Sequence, residues 1–277
     1  NLYIEQTKGI RKIVSPNVHP YTLIKNLAME AQSLKSSSPH YLFFENLVGF
    51  NFVSLQELYN QPSLGEYKVI HAGQLKENNT VNVEEQLKTV IDYNITGNND
   101  TFTNIKSGML GSTIITHDIY NKSYSKNTYR YFDDFEKHDR IDTSPIYNDV
   151  KSIGKFTDAR LYVNPTSTTT DFQDAQHYGT SATSNQLSET LLHRQARLAE
   201  LGSAIKVQMT VNGNTTLVAG QKIIFNKPSN SEIDVKVDPF YQGEFLVTQT
   251  RHRFNQPLRK HEIIFSAAKD AIPESKE

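Results

Sequence analysis

Residues 205–213 read IKVQMTVNG. Every second residue from Ile205 to Val211 is apolar, and the residues between them are polar. A period of two is typical of a β-strand with one buried face. The pair Asn212-Gly213, which follows at once, is typical of a tight hairpin turn. This stretch therefore predicts a half-buried strand and a reversal of the chain.

Three more strands are predicted after this turn. They cover Lys222 to Phe225, Gly243 to Phe254, and Arg259 to Ala267. Four strands with short connections predict a small antiparallel barrel or sandwich. The polar residues 271–277 are expected to form a flexible tail.

The first sixty residues predict the order strand, helix, hairpin, helix. Asn1 to Ile4 is typical of the end of a strand, and Pro20 suits the first turn of a helix. The helical face comprises Leu23, Ile24, Leu27, Ala28, Ala31 and Leu34, before a stop at residues 36–39. Tyr41 to Phe52 predicts an aromatic hairpin around Gly49, and Ser54 is a suitable cap for a short helix.

The middle of the chain is less regular. Tyr67 to His71 predicts a strand, and Val83 to Ile95 fits either a helix or a helix that runs into a strand. Residues 112–132 predict a hairpin that turns at 121–123. Residues 143–183 lack periodicity, apart from a short strand at 160–163, and such a stretch often wraps a partner. A helix is predicted over 185–201, with a stripe of Leu187, Leu191, Leu198 and Leu201 and a stop at Gly202.

Composition excludes several classes of protein. The 277 residues are enough for about two domains. The net charge of −1 argues against binding to nucleic acid through phosphate contacts alone. Because cysteine is absent, a disulfide scaffold and a cysteine-ligated zinc site are excluded. No apolar run is long enough for a membrane-spanning helix, and no signal peptide is visible.

No catalytic motif is found. Phosphate-binding loops, dinucleotide-binding patterns and nucleophile elbows are all missing from the sequence. The densest ionisable cluster comprises Asp133, Asp134, Glu136, His138 and Asp139. It could be a cation site or an acid/base group, but its spacing fits neither an EF-hand loop nor the H-E-x-x-H motif, so a charged, exposed loop is the simpler interpretation. His117-Asp118 is interpreted as a structural hydrogen-bonding pair. We predict no catalytic, cofactor-binding or metal-binding residue, no cofactor, and no enzymatic activity.

Two other groups of residues allow more than one interpretation. One is basic and comprises Arg251, His252, Arg253, Arg259, Lys260 and His261. It could contact nucleic acid, but charge pairs across strands or an acidic partner protein explain it more simply. The other is aromatic and comprises Tyr41, Phe43, Phe44, Phe50 and Phe52. Because basic residues are not interleaved with it, core packing is favoured over a base-stacking surface.

The last third of the chain resembles a known family. Residues 220–226 read GQKIIFN, 243–252 read GEFLVTQTRH and 261–265 read HEIIF. These segments resemble the closing strands of baseplate hub proteins from contractile-tailed phages. The helix from Leu187 to Leu201, the aromatic hairpin from His40 to Phe52 and the segment from Ser107 to Asp118 occur in the order of that family. Residues 143–183 match nothing in it.

The resemblance implies an α+β, β-rich fold with a tube-like β-barrel. We expect residues 64–100 and 203–270 to form the barrel, and 1–63 with 101–202 to form a discontinuous α+β domain. The family carries two barrels per subunit, so we expect a first barrel before residue 1. Such hubs are related to the hub part of type VI secretion spikes.

The resemblance also implies partners and a location. The subunit would form a homotrimer in the phage tail baseplate of the virion, after assembly in the host cytoplasm. It would join the tail tube or a tube-initiator protein to the central spike protein. The tape-measure protein and then DNA would pass through its bore during ejection, with no stable membrane contact.

Two other hypotheses remain open. A peptidoglycan-degrading tail-tip enzyme would need paired acids, for which Glu45 and Glu57 are the candidates. A receptor-binding or carbohydrate-binding tail module is suggested by Tyr124, Tyr129 and Tyr131.

Overall fold

The computed structural model describes residues 1–8, 14–36, 38–69, 83–96, 100–118, 122–147, 161–166, 184–203, 205–228 and 237–273. The strands are β1 (Leu2–Ile4), β2 (Tyr41–Asn46), β3 (Gly49–Ser54), β4 (Ser63–Val69), β5 (Thr89–Ile95), β6 (Gly111–Asp118), β7 (Ser123–Arg130), β8 (Ser144–Pro145), β9 (Leu161–Thr166), β10 (Ile205–Asn212), β11 (Lys222–Pro228), β12 (Val237–Asn255), β13 (Lys260–Lys269) and β14 (Ala271–Ile272). The helices are α1 (Pro20–Glu30), α2 (Leu55–Asn60), α3 (Val83–Leu87), α4 (Thr101–Lys106), α5 (Tyr131–Asp134) and α6 (Ser184–Ser203), and a 3₁₀ turn covers Phe135–Lys137.

Six strands close into a barrel in the order β10-β13-β12-β11-β4-β5. The predicted α+β, β-rich fold with a barrel is thereby confirmed. The strands β10 to β13 pair antiparallel, as their short connections predicted. β4 runs parallel to both of its neighbours, β11 and β5, so the barrel as a whole is mixed.

The interior of the barrel is filled with side chains. Alternation in β10 sends Ile205, Val207, Met209 and Val211 inward, where all four are buried. They meet large aromatic residues from the other strands, namely Tyr67, Phe225, Phe245 and Phe265. A barrel of this size is just wide enough for such a core. The barrel therefore has no passage along its own axis.

The prediction of a hairpin at Asn212-Gly213 was wrong. β10 pairs with β13 and β5, whereas β11 pairs with β12 and β4. A loop over 213–221 carries the chain from β10 to a different part of the barrel. Gly213 is needed for another reason, because a Cβ atom there would lie 2.1 Å from Nδ1 of His261.

The remaining elements form two smaller layers. The three-stranded sheet β7-β6-β9 packs on α6 around Met109, Ile114, Tyr129, Leu192 and Ala196. The sheet β1-β3-β2 packs against α1 and against the barrel loop at Gly220. Gly220 has a φ of +93°, and a Cβ atom there would lie 2.7 Å from Cζ of Phe44. A glycine is therefore required where this sheet meets the barrel.

Several predicted boundaries needed correction. α1 ends at Glu30, so Leu34 lies outside it and is exposed. α6 continues through Gly202 to Ser203, and its buried apolar residues among the described side chains are Leu192 and Ala196. The predicted Leu198 and Leu201 are only partly buried, and Leu187 and Leu191 lie outside the described side chains. Val83 to Ile95 is a helix followed by a strand, the second of the two alternatives.

The C-terminal tail also begins later than predicted. Ala271 is fully buried, and Ala271–Ile272 pair with Ser144–Pro145 of β8. The prediction treated all of 271–277 as a polar tail. Ala271 and Ile272 are apolar, however, and they form one strand of a two-stranded sheet. Most of the irregular stretch 143–183 lies outside the described residues, which there comprise 143–147 and 161–166. Ser54 caps α2 as predicted, since its hydroxyl accepts from the Glu57 amide at 3.2 Å.

Candidate functional site

Charged side chains on one face of α6 are buried where the barrel meets the other layers. His193, Arg194, Arg197 and Glu200 recur at spacings of three and four, which places them on one face of the helix. Arg194, Arg197 and Glu200 are all buried. Charged residues are almost never fully buried unless they are paired. The partners of these buried charges therefore indicate the role of this helix face.

Arg197 and Glu200 belong to a buried ion network, which we call the clasp and which comprises Arg140, Arg197, Glu200 and Asp270. Nη1 of Arg197 lies 2.8 Å from Glu200 and 2.9 Å from Asp270. The Arg140 guanidinium binds both carboxylate oxygens of Glu200. Two cations face two anions, so the clasp is neutral as a whole.

The clasp joins three parts of the chain. Asp270 follows the last residue of the barrel strand β13, Arg197 lies on α6, and Arg140 follows the 3₁₀ turn. Backbone groups add to it, since Arg197 Nη2 donates to the Asp139 carbonyl at 3.1 Å and the Ile141 amide donates to Asp270 at 3.3 Å. The clasp therefore joins the barrel to the α6 layer.

The surroundings of the clasp shift nearby pKa values. Burial lowers the pKa of Arg197, but Asp270 and Glu200 more than offset this, so its pKa is raised. Burial raises the pKa of Tyr59 well above its usual value, and the Asp270 charge adds to the effect. All four clasp side chains are at most 3 % exposed, so a substrate in solution does not reach them.

Three imidazoles lie beside the clasp, and we call them the histidine cluster: His40, His138 and His193. The rings of His40 and His138 are 5.1 Å apart, and those of His138 and His193 are 5.3 Å apart. Burial is the main cause that lowers the pKa of His40 well below its usual value and that of His138 to about 4. Within the described residues, no group of three or more His, Asp or Glu side chains has the geometry to hold a metal.

The acidic residues singled out in the sequence have different partners in the structure. Asp134 is buried and accepts from the Arg130 amide at 3.0 Å, which contradicts the prediction that this whole segment is exposed. Asp139 accepts from Gln56 and Asn60, and these bonds lower its pKa. Asp133 lies 3.5 Å from Arg130, and Glu136 is exposed. These acids do not converge on one point.

The basic group lies at the tip of the β12–β13 hairpin. Arg253 stands opposite Glu262 on the neighbouring strand, but the ion pair that Lys260 makes with Glu262 at 2.5 Å runs along β13 itself rather than across strands. His252 lies on the other face, where its Nδ1 is 3.0 Å from Nε2 of His261. Phe254 is exposed and stacks on His261 at 4.2 Å.

The aromatic group is divided between the two faces of its sheet. Tyr41 is fully buried and packs on Phe52, and Phe44 faces the barrel at Gly220. Phe43 stacks on Phe50, which is partly exposed. Core packing thus accounts for Tyr41, whereas Phe43, Phe44 and Phe52 are only partly buried and Phe50 is 37 % exposed. His117 is exposed on β6, and the side chain of Asp118 lies outside the described residues.

A cleft of about 230 Å³ lies between the β1-β3-β2 sheet, α2 and the barrel loop 218–221. Tyr3 and Glu57 line it, and their side chains are 3.4 Å apart. Glu45 neighbours Phe44, which lines the cleft, so Glu45 points to the opposite face of the sheet. A side-chain amide that lines the cleft binds the barrel loop, since Asn46 donates to the Ala219 carbonyl at 3.0 Å. Glu45 and Glu57 thus do not face each other across this cleft.

Sequence reasoning missed the clasp and the histidine cluster. The signal for the clasp was the spacing of charged residues on α6, on the helix face that also carries His193.

A comparison with protein-family models gives no match, and neither does a comparison with curated proteins. In the part of the chain that the structure describes, no helix has both the length and the apolar character needed to cross a membrane.

Proposed function

We propose that this chain is a structural subunit of a phage tail baseplate hub. It forms a homotrimeric adaptor, without catalytic activity, that joins the tail tube to the central spike. The observation that carries the proposal is the closed six-stranded barrel, whose strands come from both sides of a large insertion in the chain. This interleaved order is the one that the resemblance implies.

The packing of the barrel supports a ring of copies. Large aromatic side chains fill its interior, so tape-measure protein and DNA cannot pass through one subunit. Any bore must therefore lie between subunits around a shared axis, as closed cyclic symmetry provides. The clasp supports the same role, because it joins the barrel to the α6 layer.

The other two hypotheses gain no support from the described residues. A glycoside hydrolase needs two acids that face each other across the substrate, but Glu57 of α2 lines the cleft whereas Glu45 of β2 points to the other face of the sheet. Of the three tyrosines that suggested a glycan surface, Tyr129 and Tyr131 are buried in the core, and Tyr124 is exposed.

The test is the mass of the particle in solution, measured by size-exclusion chromatography with light scattering. We expect three copies, and electron microscopy of the same fraction should show a ring with a central opening. A stable monomer across the accessible concentration range contradicts the proposal. Clearing of a cell-wall suspension that is lost in Glu57→Gln, or glycan-array binding that is lost in Tyr124→Ala, would instead favour one of the other two hypotheses.

A further inference from the structure

The histidine cluster joins three segments that are distant in the sequence. His40 directly precedes β2, His138 follows the 3₁₀ turn, and His193 lies on α6. The three rings pack edge to face, and Tyr129 of β7 packs on His193 in the same way at 5.1 Å. Contacts within the cluster therefore hold α6 against the start of β2.

Hydrogen bonds fix the ring of His40. Nδ1 of His40 lies 2.6 Å from the Ser38 hydroxyl, and its Nε2 lies 3.3 Å from the His193 carbonyl. His40 is 2 % exposed, so an added charge on its ring would be poorly hydrated. The packed arrangement of the cluster is therefore stable with neutral imidazoles and is destabilised when an imidazole is charged.

The charges around the cluster are mostly positive or already paired. From α6 come Arg194, which donates to the Pro39 carbonyl at 2.9 Å, and Arg197 of the clasp. Arg140 comes from the loop after the 3₁₀ turn. The nearby acids are Asp134, Asp139, Glu200 and Asp270, all of which are bound to other groups. A protonated His138 would therefore meet the guanidinium groups of Arg197 and Arg140, and the acids around it are already bound to other groups.

We propose that the histidine cluster is an acid-sensitive latch between α6 and the β1-β3-β2 sheet. At neutral pH the three rings pack together, with His40 and His138 uncharged, and the latch is closed. In mild acid His40 and His138 take up protons, repel each other and Arg197, and α6 separates from the start of β2. The barrel stays folded, because its core consists of apolar and aromatic side chains.

The sign of the pH effect follows from the direction of the pKa shifts. Burial lowers the pKa of His40 and of His138 below the ordinary value of about 6.5, that of His138 to about 4. The open form therefore binds more protons than the closed form in this range. The latch is fully stable above about pH 6.5 and weakens as the pH falls towards 4. For His138 this raises the opening constant by roughly a hundredfold over that range.

Hydrogen–deuterium exchange on the full chain tests the latch. Opening constants are measured between pH 7.5 and pH 4.5, after correction for the intrinsic rate of exchange. We expect residues 192–203 of α6 and 40–46 of β2 to lose protection below about pH 6, with at least two protons taken up per opening event. Strands β10 and β13 should keep their protection.

Two variants sharpen the test. His138→Asn removes one titrating ring, and we expect its opening constant to rise about a hundredfold less between pH 7.5 and pH 4.5 than that of the wild type. His117→Asn is the matched control, because His117 is exposed on β6 outside the cluster, and it should follow the wild type. Should His138→Asn fail to fold, the ring resonances of the wild-type histidines supply the same information, since two of them must titrate well below 6.5.

Three results would overturn the latch. In the first, α6 and the barrel strands lose protection together at one pH. In the second, His138→Asn and His117→Asn have the same pH dependence. In the third, all ring resonances titrate near the ordinary value while α6 is still protected.

Discussion

The guanidinium of Arg197 lies 2.9 Å from the carboxylate of Asp270, and both side chains are sealed from solvent. This contact ties the end of the barrel to α6 by a charge pair in a setting of low dielectric. Removing one member of a buried pair leaves the other charged and unhydrated, which typically costs about 3–5 kcal/mol.

Asp270→Asn should therefore lower the free energy of unfolding by about 3–5 kcal/mol, as measured by urea denaturation at pH 7.5. A double variant, Arg197→Met with Asp270→Leu, should lose less, because Arg140 and Glu200 remain paired. Lys35→Met is the control. Its partner is Glu57 at 3.4 Å and its side chain is 72 % exposed, so the loss should stay below about 1 kcal/mol. Equal losses for Asp270→Asn and Lys35→Met would contradict the assigned role of the clasp.

The filled barrel predicts a large effect of truncating one ring. Phe265 is 1 % exposed and packs on Tyr67 at 5.7 Å, so Phe265→Ala should cost about 3–5 kcal/mol of unfolding free energy. Thermal and urea unfolding both measure this loss. Phe102→Ala is the matched control, because that ring is 67 % exposed at the start of α4, and its loss should be under about 1 kcal/mol. A barrel that tolerated Phe265→Ala without loss could not be packed as described.

Two glycines should respond in opposite directions to the same substitution. Gly213→Ala places a methyl group 2.1 Å from Nδ1 and 2.7 Å from Cβ of His261. The β12–β13 hairpin, which carries His261, must therefore shift, and the free energy of unfolding should fall by about 1–3 kcal/mol. Gly202 lies within α6 with nothing within 4 Å of its added Cβ. Gly202→Ala should therefore raise stability by about 0.5–1 kcal/mol. Melting temperatures of the two variants and the wild type, measured side by side, decide the matter, and a drop for both would refute the prediction for Gly202.

Asp142 should give a pH dependence of opposite sign to that of the histidines. Burial raises its pKa to about 6, although Lys269 lies 3.8 Å away and lowers it. The folded chain therefore binds a proton at Asp142 more tightly than the unfolded chain does, and this contribution to stability is lost as the pH rises from about 4 to 6. Asp142→Asn should be more stable than the wild type by about 2–3 kcal/mol at pH 7, with little difference at pH 4.

The measurement for Asp142 is urea unfolding at intervals of one pH unit from 4 to 7. Glu136→Gln serves as the control, since Glu136 is exposed, and its difference from the wild type should not change with pH. A constant difference between Asp142→Asn and the wild type would mean that Asp142 does not titrate in this range.

Local patterns were enough to predict the strands of the barrel but not their arrangement. The alternation from Ile205 to Val211 reports one buried face, because a strand turns its side chains by half a turn at each residue. Which strands become neighbours depends on contacts between distant segments, such as β5 beside β10. The pair Asn212-Gly213 was misinterpreted for this reason, since its glycine serves a close approach to His261 rather than a hairpin.

The clasp and the latch could not be predicted because their partners come from distant segments. The charged residues of α6 are typical of a solvated helix face until Arg140 and Asp270 are brought beside them. Likewise, His40, His138 and His193 are separated by more than fifty residues at each step, and no motif in the sequence links the three. Burial of charge is a tertiary property, and a helical period alone does not report it.

The order of the barrel strands also determines the point in synthesis at which the barrel can close. β4 and β5 leave the ribosome first, and their neighbours β10 and β11 follow only after everything between Ile95 and Ile205 has been made. Until then both early strands have open edges, which invite pairing with the wrong chain. A chain that ends before β13 cannot close the ring of strands, because β13 lies between β10 and β12.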